Sequence, residues 1–139
     1  MMHYEYNVAT GDFTNAGYAS SQVKKFLKQL NIDATIIKRV VVALYEAEVN
    51  IVAQAYKGNI YVDIDEDKIR VLLKDEGPGI PDINLAMTEG FSTASPKVRE
   101  MGFGAGMGFP NINRNADILN VKSIVGVGTE VEIIVKFSN

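Results

Sequence analysis

The chain has 139 residues, 47% of them apolar and 22% charged, which fits one domain (1–139) with a real core. It has no cysteine, which excludes a disulfide framework, a zinc knuckle and thiol chemistry. Its 14 Lys plus Arg are scattered against 17 Asp plus Glu, so direct nucleic-acid binding is not expected.

Tyr4, Tyr6 and Val8 alternate with His3, Glu5 and Asn7, which predicts a first strand. Ala16, Ala19, Val23, Phe26, Leu27 and Leu30 recur at helical spacing and predict a helix over about 16–30. Asp33 suits the N-cap of a second helix that runs to about residue 56 and stops at Gly58. Its apolar residues cover more than one face, so it is expected to be mostly buried against a sheet. Ile60, Val62 and Ile64, then Ile69, Val71 and Leu73, alternate with polar residues around the turn Asp65-Glu66-Asp67 and predict a hairpin. From Asp75 to about Met107, Gly, Ser, Thr and Pro are frequent and periodicity is weak. A loop of that length predicts a lid or a disordered segment. A helix near 111–117 follows, then strands over about 118–124 and 129–137 joined by Gly126-Val127-Gly128. This order argues against βαβ repetition. It predicts an α+β two-layer sandwich, a mixed sheet with helices on one face. No apolar run is long enough to cross a membrane and no signal-peptide pattern is present, so no membrane contact and a cytoplasmic location are expected.

Three short stretches carry the chemistry. Glu46 and Asn50 stand four apart in the long helix and so share a face. An amide oxygen is a hard ligand suited to Mg²⁺, and a carboxylate can orient or deprotonate an attacking hydroxyl or water. On an apolar helix such polar residues need a reason, although a solvated face is the plain alternative. Glu48 is expected to be ordinary surface. Asp75 closes a strand before Gly77-Pro78-Gly79-Ile80-Pro81. A carboxylate fixed there can accept from the exocyclic amine of adenine and would reject guanine, which offers a carbonyl oxygen instead. The plain alternative is an Asp-Gly-Pro turn. Gly102, Gly104, Gly106 and Gly108 alternate before a helix and can present N–H groups to phosphates. The interleaved Phe103, Met107 and Phe109 argue against a flexible linker. The run matches neither a P-loop nor a dinucleotide fingerprint.

Together these stretches resemble the N, G1 and G2 boxes of the GHKL (histidine kinase-like, Bergerat) ATPase superfamily, which includes gyrase, sensor histidine kinases and MutL. Gly126-Val127-Gly128-Thr129 resembles its last short motif, and the resemblance covers roughly 36–137. Glu46-Ala47-Glu48-Val49-Asn50, Gly90-Phe91-Ser92-Thr93 and Met107-Gly108-Phe109 are similar to the small stand-alone branch of bacterial anti-sigma factor serine/threonine kinases and stress switch kinases. The resemblance implies that Asn50 holds Mg²⁺, Glu46 serves as base, and Arg99 approaches the γ-phosphate of ATP. It implies that Asp75 binds the adenine amine, with Thr129 helping through a water. Gly77, Gly79 and Ile80 would shape the base pocket. Gly102, Gly104, Ala105, Gly106, Met107, Gly108 and Phe109 would belong to the end of the ATP lid and its phosphate cradle. The chain departs from the anti-sigma kinases at Gln54, where they carry His, and in the longer Met101-Gly102-Phe103-Gly104-Ala105 run. The expected function is an ATP-dependent regulatory protein serine/threonine kinase. Its partners would be a small anti-anti-sigma (STAS-like) protein, with a sigma factor and a homodimer as further options. A nucleotide-gated binding module and a detached histidine-kinase catalytic domain are the alternatives.

Overall fold

The computed structural model describes residues 1–9, 11–12, 14–55, 57–87 and 108–138. Five strands form one sheet: β1 (Met2–Ala9), β2 (Lys57–Ile64), β3 (Lys68–Glu76), β4 (Ile118–Ile124) and β5 (Gly128–Lys136). They lie in the order β1-β2-β3-β5-β4. Every described pair is antiparallel, so the α+β sandwich is as expected while the parallel pairing of a mixed sheet is not among these pairs.

Alternation decides which face is covered. Ile60, Val62, Ile64, Ile69, Val71, Leu73, Ile133 and Val135 are all buried and face the helices. Asp63, Arg70 and Glu132 stand between them on the uncovered face, as expected when one face of an antiparallel sheet meets water. Helix α1 (Tyr18–Gln29) contributes Val23 and Leu27 to the core, and α2 (Ala34–Gln54) contributes Ile37, Val40, Leu44, Ala47 and Ile51. Asp33 caps α2 as predicted, its carboxylate accepting from Thr35 N–H at 2.8 Å.

Three boundaries differ from the sequence expectation. Helix α2 ends at Gln54, and Gly58 is not its stop but part of β2. A Cβ on Gly58 would come within 2.8 Å of the Ile51 side chain, so the glycine lets β2 close onto α2. A short α3 (Ile83–Ala86), capped by Asp82, interrupts the stretch read as loop. Helix α4 (Gly108–Asn115) begins three residues before Asn111. Pro110 fits its first turn, where an N–H has no intrahelical partner to lose. Among the described residues no helix is long and apolar enough to cross a membrane.

Candidate functional site

A cleft opens between α2, the ends of β3 and β5, the turn after β3, and the start of α4. Ile51, Leu73 and Val131 give it an apolar wall, and Asn50, Asp75 and Thr129 bring polar groups to it. Gly79, Ile80, Gly108 and Phe109 complete the lining named from sequence.

Asp75 stands opposite Gly58 on one side and Thr129 on the other. Its Oδ1 accepts from Thr129 N–H at 3.1 Å, and among the described residues Oδ2 has no partner. Burial pushes the Asp75 carboxyl above its ordinary pKa, and the Thr129 N–H partly offsets this. The arrangement offers one fixed acceptor toward an apolar slot. Thr129 is itself buried, with its Oγ1 2.9 Å from Ser123 Oγ. Ser123 also accepts from Ile80 N–H at 2.7 Å, tying the turn to β4. Sequence reasoning missed Ser123. The available signal was a hydroxyl at the inward position of β4, where Leu119 and Val121 precede it.

The turn after β3 is fastened to the β4–β5 hairpin. Gly77 N–H donates to the Val127 carbonyl at 3.0 Å and Gly126 N–H to the Pro78 carbonyl at 2.8 Å. Gly79 has φ 77°, and a Cβ there would stand 2.6 Å from the Ile124 carbonyl oxygen. Only glycine combines that left-handed conformation with so close an approach. Gly77 lies against Ala55 Cα, at 3.1 Å from the position of a Cβ.

On α2, Asn50 lines the cleft and meets the first residue of α4, since a Cβ on Gly108 would lie 3.1 Å from the Asn50 amide. Glu46, one turn earlier and half-buried, accepts from Asn111 Nδ2 at 3.4 Å. Asn111 Oδ1 in turn accepts from Arg114 at 3.3 Å. Burial raises the Glu46 pKa, and the Asn111 hydrogen bond works against it. A carboxylate whose burial favours its protonated form thus lies one turn from an amide side chain that lines the cleft. Among the described residues no group of three or more His, Cys, Asp or Glu could hold a metal alone, so any cation here needs ligand oxygens as well.

Glu48 corrects the sequence reading. It is 2% exposed, and its carboxylate accepts from Ala19 N–H at 3.1 Å and Ser20 N–H at 3.2 Å. It serves the N-terminus of α1, which has no side-chain cap of its own. Arg99, Gly102, Gly104, Ala105, Gly106 and Met107 lie outside the described residues, as does most of the expected lid.

Residues 11–135 match the family model of the histidine kinase-like ATPase domain. The chain belongs to that family. It is 33% identical over 111 residues to the serine/threonine-protein kinase RsbT of Bacillus subtilis (strain 168), covering 77% of each protein. It is 32% identical over 130 residues to an anti-sigma F factor of Clostridium beijerinckii, covering 89% of this chain and 87% of that one. Its fold is similar to the crystal structure of the RsbU and RsbW domains of a Mycobacterium tuberculosis protein, with TM-score 0.60 and 14% identity. That match covers 94% of this chain and 32% of the other. A mycobacterial sensor histidine kinase, MprB, matches with TM-score 0.55 and 16% identity over 97% of each chain. These two likenesses bear on the fold alone.

Proposed function

We propose that this chain is an ATP-binding regulatory protein serine/threonine kinase of the anti-sigma type, acting on a small STAS-like anti-anti-sigma protein. The observation that carries the reading is the half-buried Asp75 carboxylate beside an apolar slot that Asn50 and the first turn of α4 also line.

The residues present fit a purine nucleotide. The slot is apolar where a base would lie, and Asp75 Oδ2 is an acceptor without a protein partner among the described residues. Gly108 leaves open the space beside the Asn50 amide that a Cβ would crowd. Asp75 would hold the adenine amine with Thr129 beside it, and Asn50 would hold Mg²⁺. When bound, ATP with Mg²⁺ supplies a transferable phosphoryl group whose charge the cation neutralises. Glu46 takes the proton from the acceptor hydroxyl, and its raised pKa matches that task. Asn111 keeps the Glu46 carboxylate in place. The family names of the relatives, a serine/threonine kinase and anti-sigma F factors, support the reading.

Calorimetric titration with ATP and GTP, with and without Mg²⁺, tests the site. The expected result is Mg²⁺-dependent ATP binding that ignores GTP and is lost in Asp75→Asn. Phosphotransfer to a purified STAS-like protein tests the activity, and Glu46→Gln should abolish it while ATP binding persists. Undiminished transfer by that variant would remove Glu46 from the mechanism.

A further inference from the structure

A second groove lies between α1 and α2, outside the nucleotide site. Ile32, Val41 and Val42 form its apolar floor, and Lys24, Lys28 and Lys38 stand along its rim. Ile32 and Val41 are partly buried against the core, so the floor is recessed, while the three lysines are exposed. Among the described residues none of these lysines has a carboxylate within ion-pair distance. Lys57, Lys68, Lys74, Arg39 and Arg70 all do. The nearest acid in sequence, Asp33, is occupied in capping α2. A chain of net charge −3 thus concentrates three unpaired cations around one apolar trough.

The groove also leads toward the site. Lys38, Val42 and Glu46 recur every four residues on α2, so they follow one side of the helix. Each step rises about 6 Å. A segment lying over Lys38 and Val42 therefore ends within a turn or so of the proposed base.

We propose that this groove docks an acidic amphipathic helix of the phosphoacceptor protein, which presents the hydroxyl to Glu46. The proposal rests on the kinase reading. Charge complementarity selects an acidic partner, since three desolvating lysines need carboxylates. The recessed floor between two helices selects a helix with apolar anchors at i, i+3, i+4 and i+7. An added strand is disfavoured because neither groove wall offers a free sheet edge.

The first probe is a fluorescein-labelled helical peptide with leucines at those anchor positions and flanking glutamates, with a glutamine-flanked control. Anisotropy should show binding of the glutamate peptide that weakens with salt. The charge reversal K24E/K28E/K38E should lower its affinity by at least about tenfold, or roughly 1.4 kcal/mol. The arginine variant K24R/K28R/K38R should retain it. Bound peptide should protect Lys24, Lys28 and Lys38, but not Lys57 or Lys74, from acetylation. Equal binding of the glutamate and glutamine peptides, or of wild type and the reversed variant, overturns the proposal. So does binding to phosphatidylglycerol vesicles that the reversal abolishes while peptide binding is unaffected. With a STAS-like protein as acceptor, the peptide should raise the KM for acceptor and leave that for ATP unchanged. An unaltered acceptor KM also overturns it. ATP affinity, measured on the same variants by calorimetry, keeps the two readings apart: its absence in wild type defeats the nucleotide site, not the groove.

Discussion

Burial raises the pKa of Glu46, Glu48 and Asp75 alike, yet the three carboxylates are held differently. Glu48 takes two N–H groups from the first turn of α1, so a residue in one helix completes another. Glu48→Ala leaves both donors buried without partners. It should cost about 2–4 kcal/mol in urea unfolding, with Glu48→Gln recovering part. A loss below about 0.5 kcal/mol would show that water replaces the carboxylate. Spacing put Glu46 and Asn50 on one helical face, while their expected roles came from the family resemblance. Glu48 was not legible because its partners stand 28 and 29 residues away. At Glu46, burial raises the pKa and Asn111 lowers it, so Asn111→Ala should raise it further. The acid limb of the kcat profile should then move to higher pH. An unmoved limb would mean that Asn111 does not touch the ionisation of Glu46, or that Glu46 is not the proposed base. Asp75→Asn separates function from stability. A folded-state pKa above the unfolded value means that an ionised Asp75 opposes folding once pH exceeds that pKa. The variant should therefore keep or gain apo stability at neutral pH while losing the thermal stabilisation that ATP gives. A drop in apo stability matching the lost affinity would recast Asp75 as a structural residue.

At the scale of elements, strands were legible because alternation is dense, and α2 because its apolar residues run through six turns of helix. Helix α3 was hidden because its four residues are too few to show a period. The start of α4 was hidden because glycine and proline, read as loop residues, occupy its first turn. The site depends on one joint that sequence only hinted at, the fastening of the turn after β3 to the β4–β5 hairpin. Asp-Gly-Pro-Gly and Gly-Val-Gly read separately as two turns, but their backbones bond to each other. Gly79 is the tightest point of that joint. Gly79→Ala forces a side chain into the left-handed region and against the Ile124 carbonyl. It should cost about 1–3 kcal/mol and weaken ATP binding along with stability. Gly126→Ala meets nothing within 4 Å, so it bears only the cost of its own φ of 81°. Equal losses in the two variants, by urea unfolding and calorimetry, would show that conformation matters and the contact does not.

Among the described residues one sheet face is left uncovered, and a polar row crosses it. His3 on β1 contacts Asp63 on β2 at 2.6 Å, and Arg70 on β3 reaches Glu132 on β5 at 2.6 Å and Asp63 at 4.0 Å. Asn120 on β4 donates to the same Glu132 at 2.8 Å. The row thus spans all five strands in sheet order. The groups of this row, and Asp117 paired with Arg39 of α2, titrate with opposite signs. Asn120, then Arg70, lower the Glu132 pKa, and the Lys136 N–H, then Arg39, lower that of Asp117. Their stabilisation is present above the unfolded carboxylate pKa and is lost as pH falls through the lower folded value. His3 is raised from 6.5, first by Asp63 and then by Glu5. Its stabilisation is complete below 6.5 and is lost as pH rises through the folded value. The buried acids Glu46, Glu48 and Asp75 share the His3 sign, fading as pH climbs through their own raised values. These surface groups are exposed or only partly buried, so each effect is small and screened by salt. The urea midpoint should therefore decline on acidification below about pH 4, where carboxylates protonate, and decline slightly above neutrality. His3→Gln should lessen the second decline and leave the first. If the alkaline decline is unchanged in that variant at low ionic strength, the His3–Asp63 contact contributes nothing in solution, and the row across the sheet effectively begins at β2.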